Sequence, residues 1–227
     1  MRIKHSLLGL LLSLLAMQVS ATSVLQLSST ELVNRAELVF QGEVIQRISR
    51  QLAGGRIVTE VEFLVLDVIK GENPGPGLRL RFTGGAVAGR GLSTGTAIPQ
   101  VGEQGIYFVS SLTKRRANPL VGWAQGHFTI GDDNQVRAGN GGLVTAISAR
   151  EASAELTVSG GVARGFSTVS AGRSGMIAIR GLSPEEFKYQ VKELAAGRGL
   201  RFTSTPSAAA NGASSARDPS LWARETP

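Results

Sequence analysis

Apolar and polar positions alternate for longest between Arg56 and Gly71, in the stretch R-I-V-T-E-V-E-F-L-V-L-D-V-I-K-G. Ile57, Thr59, Val61, Phe63, Val65 and Ile69 share one parity, while Val58, Glu60, Glu62, Leu64, Leu66 and Val68 share the other, which begins polar and ends apolar. The β-branched content and the lack of a 3.6-residue stripe predict a long strand, half exposed at its start and buried on both faces at its end. A strand of that length can bend and serve two sheets of a small barrel, so the neighbouring apolar runs read as its partners.

Those runs follow in order. Ser28 and Glu31 have capping-box spacing and predict a helix of two turns. Leu38–Ile48 predicts a first strand with a bend at Gly42. The long strand ends at the turn signal Glu72-Asn73-Pro74-Gly75-Pro76-Gly77. Leu78, Leu80 and Phe82 then alternate with Arg79 and Arg81, giving a third strand with one buried face and one basic, wet face. Gly84–Gly95 reads as a mobile glycine-rich loop over the barrel mouth. Gly105–Ser110 and Val121–Ile130 predict a fourth and a fifth strand, and Gln135–Arg137 a short sixth, joined to the fifth through Gly131-Asp132-Asp133-Asn134.

Beyond Arg137 the chain is rich in Gly, Ala and Ser, with two apolar runs, Leu143–Ile147 and Met176–Ile179, that suit edge strands or a loosely ordered excursion. Leu182-Ser183-Pro184-Glu185-Glu186-Phe187 then sets an N-cap Ser, Pro at N1 and Glu at N3, a specific helix start. Phe187, Val191 and Leu194 form its apolar stripe and Gly197 its C-cap. The fold class predicted is mainly β: a small OB-type antiparallel barrel of five to six strands, with a short N-terminal helix and a C-terminal helix.

The first residues change the picture of where the protein works. Arg2 and Lys4 precede an apolar run from Leu7 to Met17 and then Val19-Ser20-Ala21, the pattern of a secretory signal peptide cut after Ala21. The run is too short for a membrane span, which needs about 20 apolar residues. A secreted or periplasmic protein is therefore expected, divided into a signal peptide over 1–21, a barrel over 22–137, an extension over 138–181, a helix over 182–200 and a disordered tail over 201–227. The chain has no cysteine, which removes disulfides, thiol nucleophiles and thiolate metal sites. With 24 basic and 17 acidic residues the formal net charge is +7, and loss of Arg2 and Lys4 would leave +5. That excess is spread along the chain, whereas a nucleic-acid binder would concentrate it on one face, so nucleic acid is not the expected partner.

Candidate chemistry is thin. Ser111-Leu112-Thr113-Lys114 matches S-x-x-K, in which a helical turn sets an amine beside a serine as its base; here the match follows a strand, and neither S-D-N nor K-T-G accompanies it. Lys114-Arg115-Arg116 reads as an anion-binding loop or as a solvated hairpin tip. Asp132-Asp133-Asn134 offers oxygen ligands but no EF-hand spacing, and hairpin turns use the same residues, so no metal is assigned. His127 is the only histidine after Ala21, which rules out a multi-histidine metal site; between Trp123 and Phe128, a packed ring is expected rather than a base. Trp123 and Tyr107, with Arg79, Arg81 and His127, are candidates for an OB-type ligand groove, although burial of Trp123 in the core is the stronger expectation. No cofactor is predicted.

The order of a short helix, L-V-F-Q-G-E-V, a long strand ending V-I-K-G, L-R-L-R-F, a Gly-Gly loop, G-E-Q-G-I-Y-F-V and G-W-A-Q-G-H-F resembles the netrin/TIMP-like OB-fold module. It is similar above all to the secreted bacterial proteins of that layout, over about Leu27 to Ile130. The resemblance implies a barrel and no reaction. In the animal inhibitors of this fold an N-terminal cysteine chelates a metalloprotease zinc; this chain has none. The function expected is a secreted or periplasmic, non-enzymatic binding module. Its partner would be another exported protein, with a small ligand or glycan as the next class. The alternatives are an inhibitor or accessory partner of an exported hydrolase such as a metalloprotease, and a hydrolase using Ser111 and Lys114.

Overall fold

The computed structural model describes residues 26–92, 97–148, 162–164, 166–169 and 180–197. The expected signal peptide, the run Met176–Ile179 and the expected tail lie outside them. Helix α1 (Ser29–Arg35) opens with the full capping box: Ser28 Oγ accepts from the Glu31 amide, and Glu31 reaches back to the Ser28 amide. Ten strands follow: β1 (Leu38–Gln51), β2 (Ile57–Lys70), β3 (Gly77–Thr83), β4 (Gly85–Val87), β5 (Arg90–Leu92), β6 (Gln104–Val109), β7 (His127–Ile130), β8 (Val136–Arg137), β9 (Leu143–Ile147) and β10 (Phe166–Val169). Helix α2 (Pro184–Ala195) closes the described chain, capped by Ser183 and Glu186 with proline in its first turn. No helix among the described residues is long and apolar enough to cross a membrane.

The molecule is mainly β. Eight strands form one antiparallel sheet in the order β10-β9-β8-β7-β6-β1-β2-β3, and β4 pairs with β5. No hydrogen-bonded strand pair joins the two ends of the large sheet among the described residues. The count exceeds the five to six strands expected, because the ladder does not stop at β8, the short sixth strand expected: β9 pairs with β8 and β10 with β9. The glycine-rich stretch is likewise no simple loop, since Gly85–Val87 and Arg90–Leu92 pair with each other.

Both faces of β6 are buried from Gly105 to Val109, and its alternate residues supply two cores. From β6, Ile106 and Phe108 join a core with Leu32, Val33, Val136, Val144, Phe166, Phe187 and Val191. Tyr107 and Val109 join the other, with Phe40, Val61, Phe63, Leu80 and Phe82. Three register shifts along β1, around Phe40, Gly42 and Ile45, bend the β1–β2 pair. At that bend Gly42 faces Gly105, and the rings of Phe40 and Tyr107 lie over the two glycines.

The ending V-I-K-G of β2 has a specific structural use. Lys70 Nζ donates to the carbonyls of Val33 and Ala36 at 2.7 and 2.6 Å, capping the C-terminal end of α1. Gly71 follows at φ 96°, and a side chain there would collide with the carbonyl of Glu37. The expectation that β2 ends buried on both faces is corrected: Leu64 and Leu66 are exposed, because their face of the sheet carries no second layer among the described residues. The fifth strand is corrected too. Only His127–Ile130 is extended, and Val121–Gly126 turns sharply before it.

The first described residues are stapled to a late segment of the chain. Ser28 bridges Arg164 in parallel, with Ser29 N–H donating to Arg164 O at 2.6 Å and Arg164 N–H to Leu27 O at 2.5 Å.

Candidate functional site

The turn before β7 is built by the pattern G-W-A-Q-G. Gly122 and Trp123 stand in succession at φ 58° and 61°, and a short 3-10 turn runs from Trp123 to Gly126. Left-handed backbone suits glycine, but for a tryptophan it is a strained exception, of order 1–3 kcal/mol, that persists only where neighbours impose it. The neighbours are evident. The buried Gln125 accepts the Leu27 amide hydrogen on its side-chain oxygen at 2.8 Å. Gly126 is pressed so closely into the turn that an added Cβ would lie 2.5 Å from the Val121 carbonyl oxygen and 3.2 Å from that of Phe108 in β6. The strain therefore holds Trp123 outward, 38% exposed, instead of in the core where burial was the stronger expectation.

Trp123 borders an open cleft of about 690 Å³. Its lining joins the apolar Leu27, Leu120 and Val121 to Ser110, Ala117 and Asn118 and to two arginines, Arg35 and Arg116. Arg35 ends α1 and is paired with Glu31 at 3.0 Å, whereas Arg116, exposed on the loop after β6, has no ion pair among the described residues. Asn118 is buried, and its side-chain oxygen accepts from Leu120 N–H at 2.9 Å. The site can thus offer an aromatic face beside one cation that has no ion pair among the described residues.

The structure scatters the remaining residues of the predicted groove. Tyr107 is fully buried against Phe40 and Phe63, with ring centroids 5.3 and 4.8 Å away. Arg79 and Arg81 stand on the opposite face of β3 from its core residues, paired with Glu62 at 2.9 Å and Glu60 at 2.7 Å. Their charges are answered within the sheet, so neither lines the cleft with Trp123. His127 is buried and stacked on Tyr107 at 5.4 Å, not on Trp123. Of the basic loop, Arg116 reaches the cleft while Lys114 and Arg115 are exposed beside it.

Behind the cleft turn lies a buried polar cluster. His127 Nε2 is 2.6 Å from Glu103 Oε1, and the Tyr107 hydroxyl donates to the same oxygen at 3.0 Å. Burial works to raise the Glu103 pKa, but the hydrogen bond and charge of His127, with help from Tyr107 and the Gln100 backbone, hold it below the usual carboxylate range. Burial, together with the Glu103 charge, pushes the Tyr107 hydroxyl far above its ordinary value.

Ser111 does not stand beside an activating amine. Its Oγ accepts from the amides of Thr113 and Lys114 at 3.3 and 3.2 Å, the geometry of a serine-closed turn. Asp133 is paired with Arg137 at 2.8 Å, which holds its carboxyl down to about 2. Among the described residues no three His, Asp or Glu side chains gather as they would to hold a metal ion.

Arg35, Asn118 and Glu103 were not singled out from sequence. Arg35 reads there as a cation placed at a helix C-terminus, and Asn118, before Pro119, as a turn former; only their convergence with Trp123 gives them another use. No family model, curated protein or solved structure matches the chain.

Proposed function

We propose that the protein is an exported, non-enzymatic binding module of OB type whose ligand enters the cleft at Trp123. One observation carries this reading: a large aromatic ring is kept half exposed by a strained backbone, next to a cation with no ion pair among the described residues. Strain of this kind, imposed by surrounding structure, clusters at ligand sites. The barrel reading draws support from the neighbour order β3-β2-β1-β6-β7 and from Thr83 N–H donating to Ala117 O at 2.7 Å, which brings the end of β3 against the loop after β6. The turn geometry of Ser111 favours binding over hydrolysis, since its hydroxyl is occupied by backbone amides rather than by Lys114.

The test uses the full chain as bait for material from the periplasmic and secreted fractions. A ligand held at the cleft is captured by the native chain and by an Arg79→Gln bait, and is lost from Trp123→Ala and Arg116→Glu baits. Equal capture by all four baits removes the cleft from the function.

A further inference from the structure

We infer that the cleft recognises an aromatic carboxylate, a planar ring carrying a carboxylate group; this inference rests on the cleft being the binding site. The two arginines that border it are chemically unequal. Arg35 is paired at 3.0 Å with Glu31, a carboxylate that also faces Arg164 at 3.8 Å, and Arg116 has no ion pair among the described residues. Among the described residues no acidic side chain lines the cleft, so none of them supplies a carboxylate to Arg116 there. A guanidinium presents a planar fork of donors that matches a carboxylate in two parallel hydrogen bonds.

Asn118 adds a second donor. Its oxygen is engaged by the Leu120 amide, which leaves its side-chain NH₂ without a partner among the described residues and not sealed from solvent. Beside these donors stands the Trp123 indole, suited to offset or edge-on contact with another ring. Leu27, Leu120 and Val121 supply an apolar floor. A volume of about 690 Å³ suits a single-ring acid or the last two residues of a peptide.

Two other ligand types fit less well. An extended peptide adding to a strand needs free backbone donors, but here Ser110 N–H is bonded to Pro119 O and Val121 N–H to Phe108 O, both at 2.8 Å. A polyanion needs a row of cations, and Arg116 alone of the basic loop lines the cleft.

The ring and carboxylate can come from a free aromatic acid or from the C-terminal residue of a peptide, and the experiment separates them. The full chain carrying Trp222→Phe leaves Trp123 as its single indole. Its fluorescence is titrated with phenylacetate and phenylacetamide, and with N-acetyl-Gly-Phe and its C-terminal amide; calorimetry gives the same constants independently. Saturable binding of at least one acid below about 1 mM is expected, weakened about tenfold or more in its amide and in Arg116→Gln, and unchanged in Arg79→Gln. Tighter binding of phenylacetate assigns the ligand to small acids, and tighter binding of the acetylated dipeptide assigns it to protein C-termini.

Equal binding of acid and amide, or binding indifferent to Arg116→Gln, overturns the inference. So does failure of both acids to bind. If both acids fail while the four baits still separate, the ligand class falls and the cleft reading stands; if the baits do not separate either, both fall.

Discussion

Glu103 shows how much a single residue can tie together, since one oxygen receives both His127 and Tyr107 beneath the turn that carries Trp123. Its folded pKa is depressed, so its contribution to stability is present above the ordinary carboxylate pKa and is lost as pH falls through the lower folded value. Glu103→Gln should lower stability at pH 7 by on the order of 1–3 kcal/mol, as His127 and Tyr107 lose their ionised acceptor, and should flatten the decline of stability below the carboxylate range. Urea unfolding at a series of pH values from neutral to acid checks both parts. An unchanged acid limb would mean that other carboxylates dominate it. At this scale the sequence is a poor guide to the site. Tyr107 and His127 are groove candidates by sequence, His127 with a packed ring as its stronger reading, because aromatic and imidazole side chains are equally at home in a core or on a ligand. Their fate is decided by Glu103, which is remote from His127 in sequence. Trp123 was misplaced for a related reason. Hydrophobicity argued for burial, and only the flanking Gly122 and Gly126 carried a hint that its backbone departs from a strand.

Elements were more legible, because each is specified by neighbours within a few residues. Both helices start where a serine and a glutamate stand three apart, and the capping hydrogen bonds form as that spacing requires. The alternation in β2 assigned its buried parity correctly, yet misjudged Leu64 and Leu66, since an apolar residue on a strand says nothing about whether a second layer covers it. Helix α2 depends on Phe187, which is fully buried with its ring 4.9 Å from Phe128 and 6.0 Å from Phe166. Phe187→Ala should cost about 3–5 kcal/mol, by lost burial and the cavity left behind. Thermal and urea denaturation measure that loss, and a value below about 1 kcal/mol would show that the helix contributes little to the core.

In the whole molecule, the arrangement of strands is where sequence reading stopped short. The ladder β1-β2-β3 and the pairing of β7 with β8 follow from turn signals, but the partnership of β1 with β6 joins residues far apart along the chain. One core accordingly draws on Leu32 and Val39 near its start and on Val144, Phe166 and Phe187 near its end. The bridge from Ser28 to Arg164 fastens the same distant parts by backbone hydrogen bonds. These contacts should therefore hold the two parts together without chain continuity. A protein cut between residues 149 and 161 should survive as two pieces held without a covalent link: the larger retains the sheet from β3 to β9, and the smaller contributes β10 and α2. Expressed separately, the two fragments should reassemble one to one on mixing, with the native circular dichroism spectrum returning only when both are present.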